Sequence, residues 1–312
     1  MAIGATPLSL IYNQRSGFHL GKKETSFDQI LAEWSQAGFN VQVFHFSSSQ
    51  DFDQVMDQVL QRHSTDSNSG VVVAAGGDGT LNAVAHRLIH RKIPMGIIPM
   101  GTFNYVARVL NIPLNHLEAA KIITKGHMQS INVGRINQYI YLNNASLGLY
   151  PLFIKKREYY NQKLGRFTLN AYTSGLDVLI RDWKELKLEI RVDQQLHHFK
   201  TPLIFFGNNQ LQLAEMKLKI AECVKQGLVA GVVMAKSDKL TVFKTLFQLI
   251  KGGLEQAPDI YSFSAENVSV YCKKTRLTVA IDGEIVQIAP PLNIKVEKNA
   301  LNVMVPYVDS SL

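Results

Sequence analysis

Val71-Val72-Val73-Ala74-Ala75 is an unbroken apolar run, and it stops at Gly76-Gly77-Asp78-Gly79-Thr80. A strand with one face in water alternates apolar and polar residues. One that does not alternate is buried on both faces, as in the middle of a parallel sheet covered by helices. The neighbouring segments supply the other layers. Leu8–Tyr12, Val41–Phe46 and Met95–Pro99 read as further short strands, while Phe27–Ala37 (closed by Gly38), Phe52–Leu60 and Leu81–His90 carry helical patterns. This βαβα order predicts a three-layer α/β domain whose ligands sit beyond the carboxyl ends of its strands. Three loops fall at such ends, Asn13–Gly17, Gly76–Thr80 and Pro99–Thr102, and are expected to converge on one crevice.

The texture changes after residue 125. Strand-like runs joined by turns follow: Ser130–Arg135, Tyr139–Asn143, Leu186–Val192, Thr201–Gly207, Val229–Ala235, Val268–Cys272, Leu277–Ile281, Leu292–Val296 and Leu301–Val305. Helical patterns within Lys155–Asp182 and Lys239–Gln256 interrupt them. A mostly β second domain, a sandwich, is predicted. A chain of 312 residues exceeds the usual single core. The boundaries expected are 1–127 and 128–312, with the last ~15 residues candidates to return to the first domain, and a cleft between the domains as the site.

No apolar stretch approaches the length of a membrane-spanning helix, and the first residues lack a basic leader, so a soluble cytoplasmic protein is expected. Two cysteines, Cys223 and Cys272, have no framework or metal spacing and read as reduced thiols. The net charge of +8 favours an anionic partner. Its basic residues are scattered and no nucleic-acid module is visible, so nucleic acid is not expected as a partner.

Glycines at 76, 77 and 79 allow close backbone approach, and a helix beginning near Thr80 offers unpaired N–H groups, a combination that suits phosphate. Asp78 beside a phosphate is repulsive unless it holds a metal or a donor; the alternative is a tight turn with Asp78 or Thr80 as N-cap. Pro99-Met100-Gly101-Thr102-Phe103-Asn104 repeats that strand–glycine–helix grammar. Downstream, Ile281-Asp282-Gly283-Glu284 fits a hairpin turn and also fits a general base with a second carboxylate beside it.

Taken together, Gly76-Gly77-Asp78-Gly79-Thr80-Leu81-Asn82, Pro99-x-Gly101-Thr102-x-Asn104-x-x-Ala107-Arg108, Asn143-Asn144-Ala145-Ser146-Leu147-Gly148, Phe206-Gly207-Asn208-Asn209 and Ile281-Asp282-Gly283-Glu284 resemble the diacylglycerol kinase catalytic-domain family, relatives of the sphingosine kinases. The first motif is also shared with NAD kinases. The resemblance implies an α/β nucleotide domain, a β-sandwich carrying much of the lipid site, and transfer of phosphate from Mg2+–ATP to a lipid hydroxyl at a membrane surface. It carries a nucleotide-contacting role to Asn13, Ser16, Gly17, Gly76, Gly77, Gly79, Thr80, Asn82 and Thr102, and more loosely to Ser47. Asp78 matches the acid of the metal network, Asp282 the proton acceptor, and Glu284 lies beside it. An NAD kinase-like enzyme and a catalytically silent lipid- or nucleotide-binding regulator are the alternatives, and a homodimer is compatible with each.

The chain departs from the family at Gln226, where an accessory magnesium site has an aspartate, and at Tyr105, where Asp or His is common. An amide oxygen is a weaker ligand for a hard cation than a carboxylate. Two stretches could meet a membrane or be ordinary helix faces: Leu240, Phe243, Leu246 or Phe247, Ile250 and Leu254 with Lys236, Lys239, Lys244 and Lys251, and Lys155-Lys156-Arg157 with Lys163 and Arg166. His86 and His90 read as surface residues of one helix, and His197-His198 as a turn.

Overall fold

The computed structural model describes residues 6–13, 24–64, 70–149, 151, 185–234 and 260–307, with side chains 24–26 left aside. The chain divides into two compact units, Met1–Asn132 with Lys298–Leu312, and Val133–Glu297.

Unit 1 is an α/β layer structure. Strands β1 (Thr6–Asn13), β2 (Phe39–Phe46), β3 (Val71–Gly76) and β4 (Met95–Pro99) pair in parallel in the order β2-β1-β3-β4. The later part of β16 (Leu292–Val305) continues the sheet in parallel beside β4, with Val303 opposite Met95. From β1 the chain steps one way to β2 and then back past β1 to β3. Right-handed crossovers therefore place α1 (Glu24–Gln36) on one face and α2 (Ser49–Ser64) with α3 (Asp78–Leu88) on the other. Contacts agree with that assignment. Trp34 of α1 is fully buried and donates its indole N–H to Ala120 O of α5 (His116–Lys125) at 3.0 Å, while Arg87 of α3 pairs with Asp53 and Asp57 of α2. Every residue of β3 is buried, as its unbroken apolar run requires.

Unit 2 is a sandwich of two antiparallel sheets. One has the order β12-β11-β10-β7-β14-β15: β12 (Ile260–Ala265), β11 (Val229–Met234), β10 (Leu203–Gly207), β7 (Asn144–Gly148), β14 (Leu277–Ile281) and β15 (Glu284–Ile288). The other joins the early part of β16 to β13 (Asn267–Tyr271), β8 (Leu186–Val192) and β9 (Gln195–Thr201), and β5 (His127–Ile136) pairs with β16 and with β6 (Tyr139–Tyr141). Their inner faces share one core, including Leu147, Phe206, Val233 and Val279 from one sheet and Ile190, Val268 and Ile294 from the other. On the outer face of the first sheet, α6 (Gln210–Glu215) and the 3-10 turn Lys219–Val224 cover Phe205, Ala230 and Val232.

Four expectations change. His197 and His198 lie in β9, paired with Ile190 and Glu189, because the reversal falls earlier at Asp193, whose φ of 50° makes the turn. Leu292–Val296 and Leu301–Val305 are one strand, Leu292–Val305, which runs on through Asn299 at φ 50°, where the Asn299 N–H donates to Asn132 Oδ1 at 3.1 Å. Helix α3 begins at Asp78 and ends at Leu88, which leaves His90 beyond it with φ 61°. Glu284 opens a strand, β15, that its mixed composition concealed. The helical patterns within 155–182 and 239–256, with their candidate membrane faces, lie outside the described residues, as do Ser16 and Gly17. Among the described residues no helix is long and apolar enough to cross a membrane.

Candidate active site

In unit 1 two glycine loops touch. The N-cap of α3 is Gly77, which has no side chain to accept from the first-turn amides, so the helix lacks the side-chain cap bond that a Ser, Asp or Asn would supply. This replaces Asp78 or Thr80 as the expected cap. A Cβ placed on Gly101 would lie 2.8 Å from Gly77 Cα and 2.9 Å from Asn104 Oδ1. Only glycine allows this approach. Met100 N–H donates to Gly76 O at 2.9 Å, extending the β3–β4 pairing into the loops. Asn104, at φ 50°, accepts from Gly101 N–H through Oδ1 and donates to Gly101 O through Nδ2, both at 2.8 Å, and so locks its loop. Thr80 folds its side chain over Gly76, where a Cβ would meet it at 2.5 Å.

Asp78 joins these loops. Its carboxylate accepts from Tyr105 N–H at 3.3 Å and Val106 N–H at 3.1 Å, the first amides of the short helix α4 (Tyr105–Val109). Thr102 is exposed on the second loop, and Asn82 is half-buried on α3. Asn13 ends β1 opposite Phe46, on the same edge of the sheet. Ser47 is occupied locally. Its hydroxyl donates to Asp51 at 2.6 Å, and with Ser48 it holds that carboxyl below the usual range at the start of α2.

Unit 2 gathers the other three motifs into one hydrogen-bonded web. Asp282 and Gly283, at φ 45° and 93°, form the two-residue turn between Ile281 and Glu284. The hairpin expected from the sequence is therefore present, and the carboxylate has a further task. Oδ2 accepts from Leu142 N–H at 2.7 Å; Oδ1 accepts from Asn143 N–H at 2.9 Å and Asn144 N–H at 2.8 Å. Asp282 N–H returns to Asn144 O at 3.0 Å. The asparagines are anchored in turn: Asn209 Nδ2 donates to Asn143 Oδ1 at 2.8 Å, Asn208 Nδ2 to Leu142 O at 3.2 Å, and Asn144 Nδ2 to Gln212 Oε1 at 3.0 Å. All four asparagines are buried. Such a web fixes the direction of the carboxylate before any ligand arrives. Tyr141, fully buried one residue before this segment, has its phenol pushed far up, first by desolvation and then by the charge of Asp282.

Sequence reasoning found the asparagine pairs only as matched motifs. Gln212, which orients Asn144 and donates its own N–H to Asn209 Oδ1 at 3.0 Å, carries no signal in the sequence. Glu284 is exposed, and Gln226 is exposed in the turn after the 3-10 segment. No group of three His, Cys, Asp or Glu able to hold a metal occurs among the described residues. Among the described residues the carboxylates therefore form no cage for magnesium. The glycine loops do fit phosphate, because they present backbone where a Cβ would intrude.

Comparison with known proteins matches this division of labour. Residues 7–136 match the diacylglycerol kinase catalytic domain, and residues 158–305 match the YegS C-terminal NAD kinase beta sandwich-like domain. The diacylglycerol kinase of Staphylococcus saprophyticus is 26% identical over 279 residues, covering 88% of each chain. That of Staphylococcus aureus strain Newman is also 26% identical, covering 88% of this chain and 85% of its own. A crystal structure of a diacylglycerol kinase from Bacillus anthracis has a similar fold, with TM-score 0.68 at 20% identity over 96% of this chain and 97% of that one. With both family models matched in order, and the glycine loops and the Asp282 web formed by the motifs that suggested them, the chain belongs to the diacylglycerol kinase catalytic-domain family.

Proposed function

We propose that the protein transfers the γ-phosphate of ATP to the hydroxyl of a lipid such as diacylglycerol. The observation that carries this reading is Asp282, a carboxylate aimed by three backbone amides from one neighbouring segment. A lipid alcohol is a poor nucleophile at neutral pH and needs an acceptor for its proton as the new P–O bond forms. Oδ2 of Asp282, which carries one of the three amides, would accept that proton; Glu284, exposed beside it, would contribute charge rather than contact. The amides around Gly77, Gly79 and Thr80, with Thr102, would bind the phosphates, and Asn13, Ser16, Gly17, Ser47 and Asn82 would surround the nucleotide. Magnesium, when bound with the nucleotide, supplies positive charge to the phosphoryl oxygens. Asp78 would act on it indirectly, since its carboxylate already ties α4 to the glycine loop. Gln226 is a poor candidate for an accessory ion.

The test is incubation of the purified protein with labelled ATP, magnesium and a panel of diacylglycerol, monoacylglycerol, sphingoid base and polyprenol, with NAD as a control acceptor. Label in a lipid, lost in Asp282→Asn, is the expected result. Label in NAD alone would replace the lipid reading, and label in no acceptor would remove it.

A further inference from the structure

We infer that Phe103, backed by Tyr105 and Arg108, is the element by which unit 1 docks on an anionic lipid surface. The inference takes its purpose from the lipid-kinase reading but is tested independently of it.

Phe103 is 45% exposed. Single exposed apolar side chains are ordinary, but the setting of this one is not. Its backbone is fixed on both sides, by Asn104 clasping Gly101 and by Gly101 packed on Gly77. The ring lies nearly parallel to Tyr105, 5.8 Å between centroids and 11° between planes. Arg108 completes the stack, its guanidinium carbon 5.4 Å from the centre of the Tyr105 ring. The backbone of Tyr105 is itself held by Asp78.

The result is a braced aromatic pair with Phe103 exposed and a cation held on its Tyr105 partner. Little conformational freedom remains to be lost when that ring is buried. An aromatic ring suits the boundary between headgroups and acyl chains, and a guanidinium suits lipid phosphate. A neutral aromatic peptide would not require the cation, and the net charge of +8 adds long-range attraction to an acidic surface. Leu114, 52% exposed just beyond α4, adds a second apolar side chain to the same segment. The neighbour of Phe103 in the chain is Thr102, so docking here would hold the phosphate loops at the surface where a lipid hydroxyl is presented. The other occupant that an exposed ring beside a phosphate loop could serve is a nucleobase.

Sedimentation with large vesicles, of phosphatidylcholine alone or of equal parts phosphatidylcholine and phosphatidylglycerol, distinguishes these. The wild-type protein is expected to prefer the mixed vesicles. Phe103→Ser should weaken that binding about five- to tenfold, as losing roughly half a phenylalanine's burial would, with nucleotide affinity unchanged. Arg108→Gln should reduce the preference for anionic vesicles about fivefold, as one basic residue near the surface would. Phe103→Trp should keep binding and gain emission that shifts to the blue and is quenched by brominated acyl chains. No vesicle binding by the wild type, or equal binding by Phe103→Ser, overturns the inference. So does weakened nucleotide affinity with vesicle binding intact, which would make the ring a base platform. Vesicle binding that depends on Phe103 without any lipid phosphorylation would leave docking standing and remove the kinase reading instead.

Discussion

Asp78 and Asp282 are both carboxylates held by backbone amides from a distant part of the chain, yet their settings differ. Asp78 is the first residue of α3 and takes two amides, at 3.3 and 3.1 Å, from the start of a five-residue helix. Asp282 sits in a left-handed turn and takes three, at 2.7 to 2.9 Å, inside a web of buried asparagines. The first carboxylate is a brace between two loops. The second is the centre of a preorganised web, and removing it strands the three amides that donate to it. A brace can weaken without collapse; a web of this kind loses its shape as a unit.

That contrast can be broken experimentally. The largest effect is expected for Asp282→Asn, which keeps an acceptor oxygen and tolerates the turn but removes the base. Turnover should fall by about a thousandfold or more while nucleotide binding, followed by calorimetry, survives. Near-normal turnover would dismiss Asp282 as the base. Asp282→Ala should further cost about 3 kcal/mol in denaturant melts, because three amides lose their acceptor. Gly101→Ala comes next. Its Cβ meets the Gly77 backbone, so a stability loss of about 2 kcal/mol is expected, with nucleotide affinity down roughly tenfold. Unchanged affinity would separate the loop contact from the ligand. For Asp78→Ala the expected loss is about 1 kcal/mol, the scale of a missing helix cap, together with a raised magnesium requirement for turnover. An unaltered magnesium response would leave Asp78 as a brace alone.

The smallest changes should run the other way. Ser146 is fully buried in β7 and its Oγ has no hydrogen-bond partner among the described residues, and the same holds for Tyr141 Oη. Ser146→Ala is expected to raise stability by up to about 1 kcal/mol, read as a higher melting temperature. Tyr141 also gives a pH signature. Burial raises its phenol above the ordinary 10.0, so the folded protein keeps a proton that the unfolded chain gives up. Its contribution is complete below pH 10.0 and declines as pH rises above that value. Tyr141→Phe should flatten this alkaline decline; an unchanged slope would assign it elsewhere.

The α/β order was legible because the strands of unit 1 are short β-rich segments set between helical patterns, and the buried run at Val71–Ala75 named its layer directly. The sandwich was legible in outline. Its edge strands were not, since β9 and β15 expose much of their surface and carry the polar residues that water permits. At the site, glycine spacing pointed to the loops but not to their contact, because Gly77 and Gly101 meet through strand order rather than sequence distance. Asp282 could be placed in a turn from Asp-Gly alone. That its carboxylate reaches Leu142–Asn144 depends on β14 pairing with β7, a choice local residues do not encode.

Strand β16 has a consequence for synthesis. Its later half closes unit 1 beside β4, with Val303 opposite Met95 and His90 N–H bonded to Ala300 O, yet residues 133–297 must be made first. On the ribosome, β4 therefore waits with an open edge until all of unit 2 has emerged. The glycine loops are encoded early but cannot rest on a finished sheet until late, so a truncated nascent chain should carry the loop sequence without its support.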